Sequence, residues 1–168
     1  MQGKARPVAT ADQALYAMDR MIATAQFGQQ DIARRLGLNV TDLTCLGFLM
    51  EAATAGESLV AGDLADRARL TTGAVTGVLN RLEKAGYIRR QADPRDRRRV
   101  QVVMEESALE RILEVYGPFY ERLGMLFADY GPDEIAVLAD WFTRAKALFQ
   151  DSLDEIRQGV SEWPPSDR

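Results

Sequence analysis

The run Leu64-Ala65-Asp66-Arg67-Ala68-Arg69-Leu70-Thr71-Thr72-Gly73-Ala74-Val75-Thr76-Gly77-Val78-Leu79-Asn80-Arg81-Leu82-Glu83-Lys84-Ala85-Gly86-Tyr87-Ile88 carries two helical periods, a tight turn between them, and the start of a strand. Residues 61–69 read as a short helix and 72–85 as a second, with Thr71 as its N-cap and Gly86 as its stop. In the second helix Val75, Val78, Leu79 and Leu82 follow an i, i+3, i+4, i+7 spacing, which is one apolar face for a core. The opposite face offers Gly73, Thr76, Gly77, Asn80 and Lys84, which are small or hydrogen-bonding. A DNA major groove suits such a face, because small residues let the backbone approach while Thr and Asn meet base edges. Thr71 and Thr72, at the amide-rich helix start, are placed to hold a phosphate. Arg81 completes the candidate recognition set.

Beyond Gly86 the pattern becomes strand-like. Tyr87–Gln91 and Arg99–Met104 are rich in β-branched and alternating residues, and Ala92-Asp93-Pro94-Arg95-Asp96 between them forms turns, so a β-hairpin is predicted. Its tip, Asp93–Arg99, holds four arginines and little apolar anchoring. A guanidinium on a narrow β-finger suits the minor groove, where negative potential concentrates, and Arg95, Arg97 and Arg98 are the candidates. Asp96 is placed to orient a neighbouring arginine by a charge-assisted hydrogen bond.

Helical signals dominate both flanks. Thr10-Ala11-Asp12-Gln13 matches a capping box, and Leu15, Met18, Ile22, Ala25, Ile32 and Leu36 predict a long helix over 11–36. Thr41 is the expected cap of a second helix that carries Leu43, Leu46, Phe48, Leu49 and Met50 and closes near Gly56. A second capping-box match at Ser107–Glu110 opens another helix, which Gly117-Pro118 is expected to bend or interrupt. Gly131-Pro132-Asp133-Glu134 opens the last helix, whose Ile135, Leu138, Trp141, Phe142, Ala145, Leu148 and Phe149 span a wide face. A helix start accounts for the adjacent carboxylates of Asp133 and Glu134 without any acid–base role. The tail from Gly159 is expected to fray.

The expected architecture is mainly α: a helix over 1–36, a winged helix-turn-helix over 37–105 with its wing at 87–104, helices over 106–158, and a flexible tail at 159–168. Both helical ends carry more apolar surface than a chain this size can bury, which points to a second copy and a homodimer.

Composition agrees with this. The 168 residues are 46% apolar, enough for a real core, and the net charge is −4. Between Val60 and Met104 ten Lys/Arg face five Asp/Glu, a surplus of five, while the remainder carries eleven against twenty. A basic middle between acidic ends fits a protein that presents one region to phosphate, although a solvated basic face has the same composition. There is no histidine and one cysteine, Cys45, so Cys/His zinc sites and Ser-His or Cys-His nucleophile pairs are excluded. No cofactor, metal or catalytic residue is expected. No apolar run approaches a bilayer span and no secretory h-region follows Lys4 and Arg6, so a cytoplasmic protein without membrane contact is expected.

Leu64–Arg67, Thr71–Thr76, Arg81–Tyr87 and Asp93–Arg98, taken in order, resemble the MarR family of bacterial regulators, and the helix order agrees over residues 10–158. The resemblance implies obligate homodimers held by the first and last two helices, with recognition helices in consecutive major grooves of a pseudo-palindrome. It also implies wing arginines in the flanking minor grooves, with Asp96 as the wing acid and Arg98 as the minor-groove arginine. Many relatives repress their own operon and release DNA when a small phenolic or lipophilic ligand, or an oxidant, acts. Gly73 and Thr76 fall on the helix that reads the groove.

Three positions depart from the family pattern. Gly77 stands where relatives carry a long side chain, Arg69 stands where the motif's turn often has glycine, and Val60 replaces a capping Ser or Thr. Tyr16, Phe27, Phe48, Met50, Tyr116 and Tyr120 are candidates to line an effector pocket, though aromatics and Met at helical spacing commonly form plain core. Cys45 reads as core packing rather than a redox sensor, having no basic neighbour in sequence. The alternative to a regulator is a winged-helix interaction module whose basic face docks an acidic protein.

Overall fold

The computed structural model describes residues 8–93, 96 and 99–159. In chain order the elements are α1 (Ala11–Arg35), α2 (Val40–Thr54), β1 (Leu59–Val60), α3 (Ala61–Ala68), α4 (Thr72–Lys84), β2 (Ile88–Ala92), β3 (Val100–Met104), α5 (Glu106–Phe127) and α6 (Pro132–Gln158). Val8–Glu121 forms one compact unit, and the residues from Arg122 onward belong to a second.

The first unit holds the winged module. Its core gathers Leu46 and Leu49 of α2, Leu64 of α3, the predicted stripe of α4, then Tyr87, Ile88, Val102 and Ile112. Val75, Val78, Leu79 and Leu82 are all at most 1% exposed, so the apolar face read from the sequence is the one buried. The sheet has the order β1-β3-β2, antiparallel throughout, with Val102 paired to Leu59 on one side and Arg90 on the other. The hairpin was expected; β1 was not, because two residues are too short to show a period.

Helix boundaries follow their caps. Thr10 and Gln13 make the predicted capping box, each side chain bonded to the other's backbone N–H. The N-cap of α2 is Asn39 rather than Thr41: Asn39 Oδ1 accepts the Asp42 N–H at 2.8 Å and the Asn39 carbonyl accepts the Leu43 N–H. Asparagine is the stronger cap, so the helix begins earlier and leaves Thr41 in its first turn. Likewise α5 starts at Glu106, not after Ser107. The Glu105 N–H bonds the Tyr87 carbonyl and the Ala108 N–H bonds the Glu105 carbonyl, so the chain leaves β3 directly into helix. Pro118 lies inside α5 without ending it. One amide bond is lost, but the residue before it is Gly117, which has no Cβ for the proline ring to strike.

The turn between α3 and α4 is a Schellman motif. The Leu70 N–H bonds the Ala65 carbonyl and the Arg69 N–H bonds the Asp66 carbonyl, with Arg69 left-handed at φ 54°. A Cβ in that region is strained by about 1 kcal/mol. We therefore expect Arg69→Gly to raise unfolding stability by about 1 kcal/mol, read by chemical denaturation; a lower midpoint would contradict this. Val60 makes no side-chain cap, and Asp63 Oδ2 instead accepts the Val60 N–H at 3.1 Å.

Tyr87 bolts this unit together. Its ring is fully buried, its hydroxyl donates to the Leu36 carbonyl at 2.6 Å, and Arg111 Nη2 donates to that hydroxyl at 2.9 Å. Arg111 Nη1 also reaches the Ala85 carbonyl at 2.8 Å, and its guanidinium lies 4.1 Å from the Tyr87 ring centre. Burial pushes the Tyr87 hydroxyl pKa up, opposed by Arg111. The end of α1, the end of α4 and the start of α5 thus share one phenol. Removing the hydroxyl in Tyr87→Phe leaves a buried carbonyl unpaired, an expected loss of about 1–3 kcal/mol by denaturant titration.

The second unit contains the last turn of α5 and all of α6. Gly131 precedes Pro132 as predicted, and Glu134 Oε2 accepts the Gly131 N–H at 2.8 Å. No residue of α6 is buried: Trp141 is 43% exposed, and Phe142, Leu148, Phe149 and Ile156 are exposed too. Among the described residues no helix is long and apolar enough to cross a membrane.

Candidate nucleic-acid interface

α4 presents Thr71, Thr72, Gly73, Thr76, Asn80, Arg81 and Lys84 on its exposed side, opposite the buried stripe. Thr71 caps the helix by accepting the Ala74 N–H, and Thr76 donates its hydroxyl to the Thr72 carbonyl at 2.9 Å. The Thr76 proton is thereby used inside the helix, which leaves its oxygen lone pairs and methyl group to face outward.

Asn80 and Arg81 pair with side chains of other elements. Asn80 Oδ1 accepts from Arg90 Nη2 at 2.9 Å, and Arg90 also pairs with Glu83. Glu83 Oε1 accepts the Arg90 backbone N–H as well, so the first strand of the wing is tied to the recognition helix. Arg81 lies on Asp42 of α2, with Nε 2.9 and 3.2 Å from its two oxygens and Nη2 2.6 Å from Oδ1. Arg81 therefore has a structural partner as well as an exposed position, which its place on the helix alone does not reveal.

Asp42, Arg90 and Arg111 were not among the sequence candidates. Asp42 was detectable: it shares the α2 stripe with Cys45, Leu46, Leu49 and Ala52, and a carboxylate on an apolar face needs a partner. Arg90 and Arg111 carry no comparable signal, being basic residues at ordinary surface positions.

At the hairpin tip the Asp93 N–H bonds the Arg99 carbonyl and the Arg99 N–H bonds the Asp96 carbonyl, both at 2.9 Å. Asp96 is exposed there, and its backbone N–H donates to Asp93 Oδ1 at 3.4 Å. Arg95, Arg97 and Arg98 lie outside the described residues.

An open apolar groove of about 270 Å³ lies between α2 and α5, lined by Leu43, Leu46, Gly47 and Met50 from one helix and Tyr116 and Tyr120 from the other. Burial raises the Tyr116 hydroxyl pKa. Of the sequence candidates for an effector pocket, Met50, Tyr116 and Tyr120 line this groove, whereas Tyr16, Phe27 and Phe48 do not. Tyr16 and Phe27 stand exposed on α1, Phe27 at 82%, while Phe48 packs against the core. Neither Tyr16 nor Phe27 belongs to the apolar stripe predicted for α1, and only Ala33 of that helix is buried.

Cys45 is fully buried, and its thiol pKa is raised by burial, then by Asp42, with Arg81 opposing. A basic group is thus near it in space, contrary to the reading along the chain, but burial outweighs it. Core packing accounts for this cysteine.

Taken together, a three-helix motif with a β-wing and an exposed polar recognition helix defines a winged helix-turn-helix protein. The MarR family model matches residues 36–99. The uncharacterized HTH-type transcriptional regulator YcgE of Bacillus subtilis (strain 168) is 34% identical over 129 residues, covering 77% of this chain and 81% of that protein. The chain belongs to the MarR family and is a transcriptional regulator of that type. Its fold matches S. aureus MepR in a complex with DNA, at TM-score 0.55 and 18% identity over 83% of this chain and 99% of that one. It also matches S. aureus MepR bound to ethidium bromide, at TM-score 0.57 and 19% identity over 80% and 95% of the two chains.

Proposed function

We propose that this protein is a cytoplasmic homodimer that binds a pseudo-palindromic operator in duplex DNA, represses transcription there, and releases the DNA when a small lipophilic or phenolic effector binds. The observation that carries the reading is α4 itself: one face is buried to within 1% while Thr72, Gly73, Thr76 and Asn80 stand exposed on the other. Thr71 and Thr72 hold a phosphate at the helix start, and the outward face enters the major groove. Arg95, Arg97 and Arg98 of the wing enter the minor groove, with Asp96 beside them. That solved MepR structures hold DNA and ethidium bromide supports both halves of the proposal.

The effector site is the groove under Tyr116 and Tyr120. Its apolar lining and two phenol rings suit a flat lipophilic molecule, and it borders α2, which packs on α4. The dimer is formed by the exposed apolar faces of α1, of the end of α5 and of α6.

Selection of tight binders from a random duplex pool at two salt concentrations tests the proposal. An enriched inverted repeat with half-sites about one helical turn apart is expected. No enrichment from a folded dimer would overturn it in favour of an acidic protein partner on the basic face. On the enriched duplex, Arg98→Ala is expected to weaken binding by about 1–3 kcal/mol; unchanged affinity would remove Arg98 from the minor groove.

A further inference from the structure

We propose that Asp42 is the positioning residue of the recognition helix, acting through Arg81, and that Arg81 serves DNA reading by this tie rather than by touching DNA. The inference rests on α4 being the helix that reads the duplex.

The carboxylate of Asp42 is 3% exposed although it sits at the first turn of α2. Two guanidinium nitrogens of Arg81 take its oxygens, and Asn39 Nδ2 donates to Oδ2 at 2.8 Å. Arg81 by contrast is 51% exposed, at the edge between the buried stripe of α4 and its outward face. A buried acid reached across 39 residues by a two-pronged arginine is a directional joint between α2 and α4.

Directionality is what α4 otherwise lacks on this flank. Val75, Val78, Leu79 and Leu82 hold the helix by apolar burial, which sets the side that faces outward but, being non-directional contact, tolerates a small rotation about the helix axis. The planar fork of Arg81 sets that rotation, and with it the direction in which Thr76, Gly77 and Asn80 face. Arg90, bonded to Asn80 and Glu83, grips the opposite flank from the wing. Gly77 lies beside the same pair: a Cβ there would stand 3.4 Å from Arg81 Nη1, an ordinary contact.

A direct DNA contact by Arg81 makes the opposite prediction about Asp42. In that case the acid only neutralises a phosphate-binding cation, and losing it leaves binding equal or tighter. The test compares wild type, Asp42→Asn, Arg81→Ala, Arg81→Lys and the Asp42→Asn/Arg81→Ala double variant. The probes are the duplex enriched by the wild-type chain and a random-sequence duplex of equal length, with folding of each variant checked by thermal melting.

Asp42→Asn, Arg81→Ala and Arg81→Lys are each expected to weaken binding to the enriched duplex by about tenfold, as misaimed base contacts do. Random-duplex affinity and the salt slope should stay as in wild type, and the double variant should be no worse than Arg81→Ala alone. Arg81→Lys, on the surface of α4, keeps the charge and loses the fork, so it separates a phosphate contact from a need for the fork even where Asp42→Asn fails to fold. Wild-type affinity in Arg81→Lys, or a salt slope reduced by about two in Arg81→Ala (about one for each copy in the dimer), overturns the proposal in favour of a phosphate contact. If wild type discriminates no sequence, the DNA-reading role of α4 falls, and this proposal with it; if only the variants match wild type, this proposal alone falls.

Discussion

A chain carrying Trp141→Asp and Phe149→Asp is expected to sediment as a monomer and to bind the enriched duplex at least about a hundredfold more weakly than wild type. The two rings stand eight residues apart on one stripe of α6, a helix with no buried residue in this chain. Trp141, Phe142, Leu148, Phe149, Leu153 and Ile156 together leave an apolar face in water, well beyond the scattered exposed side chains of a monomeric surface. Two carboxylates at its centre must be desolvated for a second copy to seat there, which costs several kcal/mol each. The large loss of DNA affinity follows because, in a dimer, the second half-site binds at high effective concentration once the first is held. Sedimentation of wild type as a monomer at micromolar concentration, or a monomeric variant with full affinity, would contradict the prediction.

Salt should have the second large effect. Ten Lys/Arg lie between Val60 and Met104. Among the described residues, Arg67, Arg81, Arg89 and Arg90 pair with Glu57, Asp42, Glu105 and Glu83 of the same chain. If about three to five of the others meet phosphate in each protomer, a dimer makes about six to ten contacts. Raising salt from about 50 to about 200 mM should then lower affinity by about a thousandfold or more, through loss of counterion release. A slope near zero on the enriched duplex would mean that the basic surplus does not face phosphate.

The parts of the fold legible in the sequence were those set by short-range regularity. The α4 stripe, the hairpin after Gly86, the Thr10 and Thr71 caps and the proline-led start of α6 each depend on residues within about one turn of one another. The cap of α2 was misplaced by two residues because Asn39 and Thr41 are both good caps, and the choice depends on which conformation the chain takes after Gly37. β1 was missed because a two-residue strand exists only through its pairing with Val102 and Gln101. Tyr16 and Phe27 have helical spacing, yet spacing says which residues share a face, not what covers it.

The candidate site divides the same way. That Thr72, Gly73, Thr76 and Asn80 look outward follows from their phase against Val75 and Leu82, which covalent geometry fixes at 3.6 residues per turn. The sequence by itself therefore determined the helix order, the polar reading face, the arginine-rich wing tip and the family. Only the tertiary structure decided that Asp42 meets Arg81, that Arg90 meets Asn80, that Tyr87 joins Leu36 to Arg111, and which rings line the groove. The reason is physical: a helical phase is a property of neighbouring residues, whereas the partner of a charged or phenolic group is chosen by chain closure across tens of positions.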